Sequence, residues 1–183
     1  MHRFSFLLIM VFLLTACCPE SIETDRFYLS EQEKNLIPCY EGQVIAFEHS
    51  NGYSFELTTV SDLLEMRKTE VSHCGENYYS YQVKEVKMES DIPEFYISAT
   101  ITPYDFYPFL MMEINRTYFE LSVHDQPDLD TLTINGFTFE DIFISENHLV
   151  DTNLIQPQKV FYNKTDGLLQ ITMTNEEKYS IKK

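Results

Sequence analysis

Tryptophan is absent, and only five glycines occur among 183 residues. They are scattered as Gly42, Gly52, Gly75, Gly136 and Gly167. No GxGxxG or Walker-type loop can be drawn from them, which excludes nucleotide binding through a glycine-rich phosphate cradle. Bases are also scarce: 13 Lys and Arg stand against 29 Asp and Glu, a net charge of −16. That balance argues against nucleic-acid binding, which needs cations to neutralise phosphate. No CxxC, HxH, HxxxH or HExxH spacing exists among the cysteines and histidines. No metal site and no cofactor are therefore expected. A GxSxG elbow is missing as well, and the chain is not expected to be an enzyme.

What is present points to a folded chain. Hydrophobic residues make up 44% and aromatics 14%, too much for a disordered polymer. The longest apolar stretch, Phe4 to Leu14, has 11 residues and is interrupted only by Ser5. A membrane-crossing helix needs about 20. With Arg3 ahead of it, the run fits the apolar region of a secretory signal.

Leu14-Thr15-Ala16-Cys17 resembles a bacterial lipobox. The resemblance implies cleavage before Cys17 and a diacylglyceryl thioether on its sulfur, so that the membrane is a partner through the Cys17 lipid. Residues 1–16 are then a signal peptide, 17–28 a polar, acidic, lipidated tether, and 29–183 a single domain. Cys18 stands where an inner-membrane retention aspartate would be, which favours the outer membrane, on its periplasmic or surface face. With Cys17 lipidated in an oxidising compartment, a Cys39–Cys74 disulfide is the economical pairing; two buried reduced thiols are the alternative.

The domain reads as strands. Ser30 and Glu33 form a capping box for one short helix that ends before Pro38. From Gln43 the apolar residues alternate with period two. Asn51-Gly52, Asn135-Gly136 and Asp166-Gly167 mark tight hairpins. Leu63, Leu64 and Met66 read as a separate strand after Tyr53–Thr59. The apolar phase changes between Val83 and Val86, which suggests a β-bulge near Lys84-Glu85. About ten short strands at this spacing imply an all-β fold, an antiparallel sandwich or an open half-barrel.

The stretch VFYNKTDGLLQITMTNEEKYSI, from Val160 to Ile181, resembles the end of many small bacterial outer-membrane-type lipoproteins of unknown function. Phe161, Tyr162, Lys164, Gly167, Leu168 and Leu169 fit their "YYxKxxGLL" hairpin. Thr172 and Tyr179 depart from it, where an aromatic and a tryptophan are usual. The likeness covers the lipobox and roughly the last 50 residues and implies no activity. The same hairpin also resembles lipoprotein-carrier half-barrels.

Two readings of function follow. One is a non-enzymatic binding or accessory module of the envelope, meeting a protein partner through the aromatic loop of Tyr104, Phe106, Tyr107 and Phe109. The other is a carrier holding an apolar ligand in a cavity of a few hundred cubic ångströms. A hydrolase with a dispersed site is a third and weaker reading. The acidic stretch from His124 to Asp130 reads as a turn between strands, since it lacks the spacing of a calcium loop.

Overall fold

The computed structural model describes residues 20–69, 77–148 and 154–183. The signal peptide, Cys17 and Cys74 lie outside the described residues. The described chain is nearly all β, as the alternation requires. Its elements are β1 (Glu23–Phe27), α1 (Glu31–Lys34), β2 (Val44–His49), β3 (Ser54–Lys68), β4 (Tyr78–Asp91), β5 (Glu94–Ile101), β6 (Leu110–Ile114), β7 (Thr117–Leu121), β8 (Leu129–Ile134), β9 (Phe137–Glu146), β10 (Pro157–Asn163), β11 (Gly167–Met173) and β12 (Lys178–Ile181).

The strands form one open sheet in the order β7-β6-β5-β4-β3-β2-β12-β11-β10-β9-β8. It consists of two antiparallel meanders, β2 to β7 and β8 to β12, joined where β2 pairs with β12. The sheet curls until β7 lies against β9, yet no ladder closes it there among the described residues. The half-barrel expectation therefore holds and the sandwich does not.

The interior is a single cluster of buried side chains drawn from both meanders. Phe47, Leu57, Val86, Ile97, Ile101, Met112, Phe119, Ile142, Phe143 and Leu169 are all at most 1% exposed. Phe55, Phe95 and Tyr179 pack ring to ring at one end, with centroids 4.9–5.8 Å apart. Such contacts add modestly to the burial of apolar area that stabilises the core.

Several expectations need correction. Residues Glu23–Phe27 of the expected tether are a strand, β1, which runs parallel to the start of β4. The two strands expected between Tyr53 and the end of the next apolar run are one 15-residue strand, β3. Its continuity was hidden by a bulge, which lies in β3 and not at Lys84-Glu85. Thr59 pairs with Met88 and Ser61 with Lys87, so Val60 is the extra residue. The pairing of β4 with β5 runs unbroken from Lys84 to Asp91. The phase change in β4 has another cause. Tyr79 and Tyr81 pack on one face against Phe27 and Phe106, while Val86 and Met88 enter the core from the other.

Cys39 is a free, buried thiol among the described residues, close to Gly167 and Pro38, while Cys74, its expected disulfide partner, lies outside them. Burial pushes the thiol pKa up, as an apolar setting does to any group that ionises to an anion.

Candidate functional site

The mouth of the half-barrel is organised by a short segment, residues 29–39, that includes α1. Ser30 adopts extended backbone geometry and caps α1: its hydroxyl accepts the Glu33 N–H at 3.2 Å. The Glu33 carboxylate returns the bond by accepting the Ser30 N–H at 2.7 Å. This is the capping box that the sequence predicts.

Three further ties hold the segment on the sheet. Leu29 donates its N–H to the Gln82 side chain at 3.2 Å. Lys84 Nζ, on the core-facing side of β4, donates to the carbonyls of Lys34 and Ile37, both at 2.9 Å. The Tyr162 hydroxyl, fully buried on β10, donates to the carbonyl of Leu36. The last carbonyls of a helix have no partner within it. Here the sheet supplies the partners, and Leu36, Ile37 and Cys39 are pressed into the core.

Beside this segment lies a cleft of about 770 Å³. Its walls come from α1 and three loops. Ser30, Glu33 and Leu36 line one side; Pro103, Tyr104 and Asp105 come from the β5–β6 loop; Val123 and His124 follow β7; Lys164 sits in the β10–β11 turn. Glu33 spans two walls, because its second oxygen accepts the Tyr104 N–H at 2.7 Å. Burial alone would raise the Glu33 pKa, but the bonds from Ser30 and Tyr104 outweigh it and hold the carboxyl below its usual range.

His124 is the least satisfied group in the cleft. Its Nε2 is buried and makes no hydrogen bond. Its ring meets Tyr104 edge-on, with centroids 4.9 Å apart. Burial lowers its pKa; the Glu33 carboxylate pulls the other way and the Lys164 ammonium reinforces the fall. The imidazole is therefore neutral at pH 7. Lys164 has no ion pair among the described residues, and its Nζ lies 5.0 Å from the Phe143 ring centroid. An unpaired cation in a chain of net charge −16 is available to a ligand.

The expected aromatic patch is divided by the structure. Tyr104 is 53% exposed and lines the cleft. Phe106 instead turns inward and stacks on Tyr81 at 4.0 Å, with Phe27 5.9 Å away. Tyr107 donates its hydroxyl to Glu120 at 2.8 Å and packs edge-on against Phe109. Three of the four rings thus fasten the loop and β1 to the sheet, and one faces outward. His124 and Lys164 were missed as a pair. No motif marks them, because the topology brings them together from loops 40 residues apart in sequence.

The other buried histidine has a packing role. His49 stacks on Tyr53 and tilts against Tyr179, both at 4.7 Å, and its Nδ1 accepts the Asn51 N–H. In the acidic stretch, Asp128 accepts the Ile144 N–H at 2.7 Å and so serves the start of β8. No group of three metal-binding side chains occurs among the described residues.

The cleft's floor is the filled core, so its chemistry is that of a surface site. Its lining offers one cation, Lys164, two carboxylates, Glu33 and Asp105, and two exposed phenol rings, Tyr28 and Tyr104. No protein-family model, curated protein or solved structure matches this chain.

Proposed function

We propose that the chain is a lipid-anchored protein of a bacterial cell envelope whose β domain is a non-enzymatic binding module, with the mouth cleft as its site. Cys17 is the anchor and the outer membrane, on its periplasmic or surface face, the location. The observation that carries the binding reading is the Lys164 ammonium, without an ion pair among the described residues, beside the exposed Tyr104 ring in a cleft of about 770 Å³. The chemistry fits a ligand, or a segment of an envelope protein, that carries an anionic group beside a flat apolar part.

The filled core weighs against the carrier reading. Side chains occupy the interior that an apolar ligand would need, and the cleft is lined largely by polar groups.

The test has two arms. Cys17→Ala should abolish palmitate labelling and release the protein from the membrane fraction; retention of both would sink the anchor. Lys164→Ala and Tyr104→Ala should each weaken capture of envelope partners by the full chain while its melting temperature stays put. Unchanged capture would remove the cleft, and co-purified lipid in native mass spectrometry would restore the carrier.

A further inference from the structure

We propose that two copies of the chain join along the free edge of β3, continuing the sheet across a two-fold axis at Glu65.

The edge exists because β2 covers only part of β3. β2 pairs with Ser54–Thr58, and the turn before it bonds Thr59 through Gln43 and Gly42. From Val60 to Lys68, β3 pairs with β4 alone among the described residues. The Thr69 N–H donates to the Tyr79 carbonyl at 2.9 Å. Antiparallel bonding alternates along a strand, so the odd-numbered residues of this stretch bond β4. The N–H and C=O of Asp62, Leu64, Met66 and Lys68 therefore point to the open side.

That side is also apolar and unguarded. Val60, Leu63, Leu64 and Met66 are 41–47% exposed. Natural sheets protect such edges with proline, bulges, covering loops or charges; among the described residues no proline, further bulge or loop guards the stretch from Ser61 to Lys68, and its charges, Asp62, Glu65, Arg67 and Lys68, are of both signs.

A second copy is the occupant that fits, because the edge complements itself. Antiparallel pairing centred on Glu65 sets Leu64 opposite Met66 of the second copy, and Asp62 opposite its Lys68. Symmetry repeats both pairs. Neither Asp62 nor Lys68 has an ion pair within 4.0 Å in the single chain, among the described residues; Lys68 lies over the Tyr78 ring. Glu65 meets Glu65 across the axis, but each is already paired with its own Arg67 at 2.7 Å. Centring on Leu64 instead would leave Asp62 facing Met66 and Lys68 facing Val60. The segment 60–68 holds two acids and two bases, so two arms approach without the repulsion that the remaining charge would impose.

The register makes the test specific. In the full chain with Cys74→Ser, Glu65→Cys places one thiol opposite its own copy at a non-hydrogen-bonded pair, where Cβ atoms approach to roughly 4.5–5.5 Å. Mild oxidation should yield a covalent dimer on a non-reducing gel well above the same chain without this cysteine, while Leu63→Cys should not. By sedimentation velocity, Asp62→Lys and Lys68→Asp should each weaken the dimer about tenfold, and the double reversal should restore it. Equal cross-linking at positions 63 and 65, a dimer indifferent to both charge reversals, or a parent chain monomeric at every concentration would each overturn the proposal.

Discussion

The Glu33 carboxylate accepts the backbone N–H of Tyr104 at 2.7 Å while its other oxygen caps the helix at Ser30. One side chain thus fixes both the helix start and the loop that carries one of the cleft's exposed rings. Glu33→Ala should destabilise the fold by about 1–2 kcal/mol, the cost of a lost cap and a lost charged hydrogen bond. Urea denaturation would show this as a lower midpoint at constant slope. A change within error would mean that water replaces both bonds.

The same residue sets a pH dependence. Its folded pKa lies below the ordinary carboxyl value of 4.5. The stabilisation is therefore fully present above 4.5 and is lost as pH falls through the lower folded value. His124 acts in a neighbouring window: its folded pKa lies below the ordinary 6.5, so stability declines as pH drops from 6.5 toward that value. Melting curves of His124→Gln should lose the slope below pH 6.5, and those of Glu33→Gln the slope below 4.5. Parallel curves for parent and variants would refute the assignments.

Lys84 offers a sharper packing test. Replacing it with Met keeps most of the stem but strips the carbonyls of Lys34 and Ile37 of their donor. The expected loss is about 2–3 kcal/mol. Amide exchange in residues 29–40 should accelerate more than in β10 or β11; uniform acceleration would indicate a global effect instead of a loosened mouth.

Arg116 should be improvable. It sits at φ 69 beside Asn115 at φ 47, in the turn between β6 and β7. A left-handed backbone costs any residue with a side chain more than glycine. Arg116→Gly should raise stability by about 0.5–1 kcal/mol, read as a higher melting temperature.

Cys39 should resist chemistry in the native state. Its buried thiol and raised pKa keep it from forming thiolate. Iodoacetamide should label it only after denaturant is added, and mass spectrometry of the Cys39 peptide would show when.

Much of the sheet was legible because its turns are. Asn135 and Gly136 take φ 50 and 82, the conformation their residue types predict for a tight hairpin. Asn115-Arg116 makes the same kind of turn without a glycine and gave no such signal. β1 was hidden for a different reason: three of its five residues are exposed, so its sequence carries no alternation and only the partner strand makes it a strand. β3 was divided because the extra residue Val60 moves its apolar side chains to the opposite parity. The cleft could not be read at all, since periodicity reports which face a residue takes within its own element and not which loops meet. Even the aromatic loop misled, because a phenylalanine that glues two strands together and one that greets a partner look alike in a string of letters.

The β2–β12 seam has a consequence for how the chain reaches this state. Nearly every other ladder joins strands adjacent in sequence, and such hairpins form within about 1–10 μs. The seam instead unites Phe47 with Ile181, across nearly the whole domain. Closing a loop of that length costs roughly 4 kcal/mol of chain entropy, which the seam and the core shared by the two meanders must offset. Each half-sheet can condense early, but the two become one cooperative body only when this last zipper closes. Slow assembly and sensitivity to changes in Lys178–Ile181 follow from this topology.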